Sequence, residues 1–412
     1  MTTDRSLSPT VDEARLWRRH EEMARVGGTA KGGVNRQALS PEDGRARALL
    51  ASWAEARGFA VSSDAIGNLF IRRDGSERGA APVMTGSHLD SQPTGGRFDG
   101  AYGVLAGFEV LEALEDAGIA TRRPVELVAW TNEEGSRFQP GCMGSMVYSG
   151  RMKLEDALAV ADRSGTTVAA ALDGLGLAGL ALRRPEVAAY VEAHIEQGPL
   201  LEAEGRTIGA VTGIQGCRWF AVDIAGEEAH AGTTPMAPRK DALKAALAIV
   251  AAIDAATADS EDRVRFTVGR FEVAPGSPNT VPGRVFFTVD LRHPEAAVLT
   301  RLGDLVAPLA AEHRRGCAVR VTETFTSPPV AFDERVVGRV AAAAASLGLE
   351  HRRMVSGANH DARFLADLCP TGMIFVPCER GVSHNEAENA KPADLAAGAR
   401  VLAQVLRELA DE

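Results

Sequence analysis

Histidines and carboxylates recur just after apolar runs along this chain. His88 stands two residues before Asp90, Asp99 lies in the turn Gly95-Gly96-Arg97-Phe98-Asp99-Gly100, and Glu133 and Glu134 are adjacent. His194 closes another apolar run, and His384 stands near the C-terminus. Imidazole and carboxylate without thiolate suit zinc, manganese or a similar divalent ion, and a carboxylate able to bridge suits a two-metal site. A carboxylate often holds the ring nitrogen that a ligand histidine turns away from its metal, which offers Asp90 a role behind His88. A structural His-Asp pair is the plainer account of the same two residues. The acid pair is equally open. Acidic residues favour helix N-termini, yet Val128 and Trp130 upstream favour burial, and a buried carboxylate near a divalent ion can act as general base.

The elements that must position these residues read as alternating strands and helices. Helical patterns cover residues 11–26 and 41–58, the latter entered through Ser40-Pro41-Glu42-Asp43. Strand-like runs follow at 59–63, 68–72 and 83–85, the last opening into Gly86-Ser87-His88-Leu89-Asp90. A helix is expected over 101–117, a buried strand over 124–130, helical segments over 151–184 ended by Pro185, and a strand over 188–195. Polar residues just after strands are where open α/β sheets keep their ligand sites. From about Trp219 to Phe325 the order becomes strand 218–224, helix 241–256, strands 263–273 and 285–292, helix 294–314 and strand 319–324. Beyond Pro328 a helix (333–347), a strand (372–376) and a closing helix (392–409) restore the α/β pattern. The fold class expected is α/β: a catalytic domain with a mixed sheet flanked by helices, built from residues 1–216 and 328–412. Residues 217–327 are expected to form an inserted α+β sandwich of four antiparallel strands and two helices.

Composition narrows the function classes. With 412 residues, 45% of them apolar and 24% charged, the chain has core enough for two or three domains at roughly 150 residues each and is not a disordered polymer. A net charge of −10 argues against nucleic acid or an anionic membrane as partner. No apolar leader core opens the sequence and no run reaches the roughly 18 apolar residues of a membrane span, so a cytoplasmic protein is expected. The five cysteines are scattered without a C-x-x-C pair and are expected reduced; Cys142 and Cys378 lie close to the motifs.

Those motifs, Gly86-Ser-His-Leu-Asp90, Gly95-Gly-Arg-Phe-Asp-Gly100, Thr131-Asn-Glu-Glu-Gly-Ser-Arg-Phe138, His194-Ile-Glu-Gln-Gly-Pro199, Gly213-Ile-Gln-Gly216 and His230-Ala-Gly-Thr-Thr-Pro-Met236, resemble the N-carbamoyl-L-amino-acid hydrolase branch of the aminoacylase and carboxypeptidase metallohydrolase family. The branch also holds allantoate amidohydrolases and β-ureidopropionases. The resemblance spans about Gly86 to Glu388.

The resemblance implies two divalent ions per subunit, with zinc, manganese, cobalt and nickel all suited to the ligands. His88 and His194 would bind one, Glu134 and His384 the other, and Asp99 would bridge; Asp90 would orient His88, and Glu133 would be the general base. Histidine at 194, where peptidase branches usually carry an acid, favours a carbamoyl or ureido small molecule as substrate. His230 would reach a neighbouring subunit's site and stabilise the oxyanion, which implies a homodimer through the inserted domain. Asn279 and Arg292 would bind the substrate carboxylate, with hinge closure completing the site. Gln197 would lie near the substrate amide, Gly357 and Ala358 would offer backbone amides to the carboxylate, and Gln215 and Arg218 are weaker candidates. The chain departs from the family pattern at Asn359, where glycine is usual and a left-handed backbone is expected, and at Asn385-Glu386, where proline is usual. Hydrolysis of an N-carbamoyl-L-amino acid is the leading expectation. Allantoate and N-carbamoyl-β-alanine are alternative substrates, and a catalytically silent binder of amino-acid derivatives is the rival of another class.

Overall fold

Four strands among the described residues are buried from end to end: Val83–His88, Val125–Trp130, Ala189–Ile195 and Thr371–Val376. Continuous rather than alternating burial belongs to strands covered on both faces, and these four pair in parallel at the centre of one sheet. The computed structural model describes residues 10–183 and 186–412. Its contacts divide the chain into two units, one running to Thr212 and resuming over Ala331–Glu412, the other comprising Gly213–Val330.

The large unit is built on a nine-stranded mixed sheet. Among the described residues its path runs Ala60–Ser63, Leu69–Arg73, Val125–Trp130, Val83–His88, Ala189–Ile195, Thr371–Val376, Ile208–Ile214 and the short Val330–Ala331, with His351–Ser356 also paired to Ile208–Ile214. Helix Ala101–Asp116 links the two central strands and is buried on almost every side, and Pro392–Ala410 packs against it. Ser40 caps helix Pro41–Ala56 by accepting from Asp43 N–H. The parallel strands all point their C-terminal ends the same way, so the loops after His88, Trp130, Ile195 and Val376 gather at one edge.

Two strands of this sheet, Ile208–Ile214 and His351–Ser356, escape the sequence reading. The first is interrupted by Gly209 and Gly213, and the second reads as polar because it opens on His351, Arg352 and Arg353, one arginine on each face. The stretch expected as helical from 151 holds only the short helices Leu154–Ala159 and Val168–Gly174. Its expected end at Arg184-Pro185 lies outside the described residues, as do the opening residues read for a leader segment.

The small unit follows the other sheet logic. Strand Arg284–His293 alternates buried and half-buried positions, as a strand with one covered face must. Phe220, Val222, Ile224, Val285, Phe287, Val289 and Leu291 pack on Ile249, Ile253, Leu302 and Val306 of helices Ala242–Thr257 and Ala296–Glu312. The sheet has five strands rather than the expected four, because the edge read as 263–273 breaks into Arg265–Thr267 and Phe271–Ala274 around Gly269. A separate two-stranded ladder pairs Ala229–His230 with Thr280–Val281.

Candidate functional site

The loops at the C-terminal edge of the large sheet bring His88, Asp99, Glu133, Glu134, His194 and His384 together. His194 Nε2 lies 3.2 Å from Asp99 Oδ1, and His88 Nε2 lies 3.8 Å from the same oxygen. On the other side His384 Nε2 is 3.2 Å from Asp99 Oδ2 and 3.4 Å from Glu134 Oε2. Two ligand groups therefore share Asp99: His88, Asp99 and His194 in one, Asp99, Glu134 and His384 in the other. The glycine-rich turn exists to let this happen. A Cβ on Gly100, at φ +62°, would lie 2.3 Å from the His88 ring, and one on Gly96 would fall on the carboxylate of Glu388.

Hydrogen bonds select the tautomers. His88 Nδ1 faces the carbonyl of Asp90 at 2.9 Å and His194 Nδ1 faces that of Ile195 at 2.8 Å, so each Nδ1–H is spent on backbone and each Nε2 lone pair faces the cluster. Asp90 was expected to orient His88 with its side chain. It does so with its backbone instead: the carboxylate is 3.8 Å from Nδ1 and accepts from the amides of Glu133 and Glu134, each at 3.2 Å, because those two unpaired loop amides are the stronger claim on a buried carboxylate.

The electrostatics describe a buried excess of carboxylates. Burial raises Glu134 to about 8, with Asp99 adding to it, and raises Asp90 to about 7. Burial with the charges of Asp361 and Glu134 drives Glu133 well up. Burial opposes the charge on Asp99 too, but the flanking His194 and His384 outweigh it and hold that carboxyl well below its usual range. His88 is pushed down to about 4 by burial and stands neutral, as a ligand must. Burial lowers His194 too, but the Asp99 carboxylate outweighs it and raises that ring, and the hydrogen bond to Asp99 raises His384 to about 9, so protons on these two rings offset part of the negative charge. Nitrogen and oxygen donors around a surplus of buried carboxylates are what two divalent cations satisfy, so the residues present fit such a pair.

The supporting residues were mostly unread in the sequence. Glu388 accepts from the amides of Phe98 and Asp99 at 2.8 and 3.0 Å and from Ser383 Oγ at 3.0 Å, fixing the turn that carries the bridging carboxylate. Gln92 donates to both oxygens of Glu134. No periodicity marks either residue. Gln197 donates from Nε2 to Asp99 Oδ2 at 3.1 Å and to Ser383, and its Oε1 is buried without a partner among the described residues. Asn132, Cys142, Gln197 and His384 all hold left-handed backbone, a concentration of strain typical of functional loops.

Other expectations are corrected. The amide of Ala358 donates to Ser356 Oγ at 3.1 Å in a serine turn, so it is already committed and does not await a carboxylate; Gly357 stands in the same turn. Asn359 is not left-handed: its Nδ2 donates to Cys142 Sγ instead. Where proline is usual, Asn385 caps its own turn through Ala387 N–H, and Glu386 accepts from Thr29 Oγ1 at 2.6 Å. Arg218 is committed to Glu323 and Asp304 and serves the small unit's structure.

In the small unit, His230 and Asn279 are brought side by side. His230 pairs with Thr280, and Ala231 N–H donates to the Asn279 carbonyl at 2.9 Å. The His230 ring is exposed and its Nδ1 accepts from Gly232 and Thr233 N–H, which leaves the neutral ring with Nε2–H as an outward donor. Ser277 Oγ donates to Asn279 Oδ1 at 2.7 Å, turning the amide NH2 outward as well. Arg292 is elsewhere. It sits at the far end of strand Arg284–His293, beside Cys217 and Arg265, on the order of 25 Å from the His230 end, with Asp290 accepting from its guanidinium. Asn279 and Arg292 of one chain therefore cannot grip one carboxylate, and closure of a single inserted domain cannot bring them to it.

Comparison with known proteins places this geometry. The sequence model of Peptidase family M20/M25/M40 matches residues 84–408. The chain is 41% identical to the N-carbamoyl-L-amino-acid amidohydrolase of Rhizobium meliloti, covering 97% of each chain. It is 34% identical to the ureidoglycolate hydrolase of Oryza sativa subsp. japonica, over 97% of this chain and 85% of that one. The crystal structure of an amidase of the hydantoinase/carbamoylase family from Burkholderia multivorans superposes with a TM-score of 0.94 at 48% identity, covering 98% of this chain and 99% of the other.

Proposed function

Because the chain belongs to peptidase family M20/M25/M40, as an amidohydrolase of its hydantoinase/carbamoylase branch, we propose that it hydrolyses the carbamoyl C–N bond of N-carbamoyl-L-amino acids, releasing ammonia and carbon dioxide and leaving the free amino acid. The observation that supports this most is the pair of ligand groups sharing Asp99, with the Glu133 carboxylate alongside at 3.4 Å from His88 Nε2.

His88, Asp99 and His194 would hold one cation and Asp99, Glu134 and His384 the other. Bound there, such ions polarise a carbonyl and lower the pKa of water. Glu133 accepts the proton of the attacking water and passes it to the leaving nitrogen, a task that needs a carboxylate of raised basicity, which its buried acidic surroundings provide. Gln197 Oε1 accepts from the substrate's ureido N–H. His230 Nε2–H donates to the carbonyl oxygen as charge develops on it, and the Asn279 amide meets the substrate carboxylate. Since Arg292 lies at the opposite end of its strand, a carboxylate held by both Asn279 and Arg292 takes them from two chains, which supports a homodimer through the inserted unit.

The test is ammonia release by metal-reconstituted protein, with and without chelator, from N-carbamoyl-L-amino acids, N-carbamoyl-β-alanine, allantoate, ureidoglycolate and an N-acetyl-amino acid. Chelator-sensitive release selective for N-carbamoyl-L-amino acids is expected. Preference for another ureido compound changes the substrate, and no turnover of any, with metal bound, turns the reading toward a silent binder.

A further inference from the structure

The side chain of Cys142 rests against the carboxylate that the proposed reaction uses as base. Its Sγ lies 3.4 Å from Glu133 Oε1, and Asn359 Nδ2 lies 3.3 Å from Sγ. One proton order satisfies all three groups: the asparagine N–H donates to sulfur, and S–H donates to the carboxylate. The thiol is buried, and desolvation pushes it well above its usual range, so it stands as S–H and not as thiolate.

The backbone fixes this contact independently. Cys142 N–H donates to the Glu133 carbonyl at 2.8 Å, Met143 N–H to Asn132 at 3.1 Å and Gly144 N–H to Thr131 at 2.8 Å, so the start of helix Met143–Ser149 is laced to the loop that bears the base. Within that lacing Cys142 takes φ +52°, a conformation glycine adopts with far less strain. A residue that keeps a side chain in such a place gives the side chain a use.

We propose that Cys142 is a positioning residue for Glu133: its S–H holds Oε1, leaving Oε2 turned to the His88 side, and Asn359 in turn holds the thiol. The inference rests on Glu133 being the base. A thiol is a weak donor, so it sets the direction of the carboxylate without competing strongly for the electron pair that must take the proton. Asn359 thus gains a function at the position where the family's usual glycine has no side chain to offer.

Three variants and one spectrum test this. Cys142→Ala lowers kcat about tenfold with KM within about twofold, since a misaimed base affects the chemical step and not substrate capture. Cys142→Ser restores most of the loss. Asn359→Gly lowers kcat by about threefold, and the double variant Cys142→Ala with Asn359→Gly is no slower than Cys142→Ala alone, because Asn359 acts through the thiol. The S–H stretching band of Cys142, isolated as the infrared difference between wild type and Cys142→Ser, moves to higher frequency in Glu133→Ala, a readout that needs no turnover. Unchanged kcat in Cys142→Ala, multiplied losses in the double variant, or a stationary band overturns the positioning role. A wild-type chain that hydrolyses none of the ureido compounds overturns the reading of Glu133 as base instead, whatever the band does.

Discussion

In the large unit four of the five side chains that would hold cations are closed off, with His88, Asp99 and His194 at 2%, 5% and 1% exposure and Glu134 at 4%, while His384 stands half exposed at the rim. In the small unit His230 and Asn279 are exposed, and hydrogen bonds to their inner atoms turn a ring N–H and an amide NH2 to solvent. The first arrangement is preorganised for ions and tolerates little change. The second presents donors whose partner is not among the atoms that orient them. A buried ligand set is paired through the fold's own core, whereas a donor meant for a transient group must stay uncommitted.

Variants on the two sides sharpen that contrast. Glu133→Gln should lower kcat by about 10²- to 10⁴-fold while two metal equivalents remain bound, as measured by steady-state kinetics and metal analysis. Wild-type turnover in that variant breaks the assignment of the base. His230→Ala should cost about 10²- to 10³-fold in kcat with the melting temperature little moved, because the ring is exposed and the two amides its Nδ1 accepts from belong to its own exposed loop. Mixing the Glu133→Gln and His230→Ala proteins, each inactive alone, should restore about a quarter of wild-type activity if His230 serves its partner's site, and nothing if it serves its own. Asn279→Ala should raise KM by about 10-fold, the loss of one hydrogen bond to a charged group, with little change in kcat.

The smallest effect concerns the packing behind Asp99. His20 is buried with both ring nitrogens unpartnered among the described residues, its ring 5.4 Å from that of Phe98, and burial pushes it down to about 3 from an ordinary value of 6.5. The unfolded chain therefore binds the extra proton below pH 6.5, and stability present above that pH is lost as pH falls from 6.5 toward 3. His20→Leu should remove that slope, with the difference in unfolding free energy between variant and wild type growing by on the order of 1 kcal/mol per pH unit in this window. Parallel pH curves for the two proteins would show that His20 is not buried neutral.

Much of the site was legible because the chain punctuates buried strands with polar residues. Val83–His88, Val125–Trp130 and Ala189–Ile195 are apolar runs that end on His88, on Glu133-Glu134 shortly after, and on His194, and parallel strands carry such ends to one edge. Strands with glycine or arginine inside them, Ile208–Ile214 and His351–Ser356, were illegible for the same reason in reverse: Gly209 and Gly213 break the apolar run of the first, and only Met354 and Ser356 of the second are buried.

By itself the sequence determined which residue types could bind cations and near which strands they stand, since periodicity and side-chain chemistry are local properties. Only the tertiary structure decided which atoms meet. It placed Glu388 on amides 290 positions away in the chain, spent the Ala358 amide on Ser356, set Arg292 at the far end of its strand from Asn279, and joined Asn359 to Glu133 through Cys142. Hydrogen bonds fix such contacts to a few tenths of an ångström between segments remote in sequence, and no local pattern carries that distance.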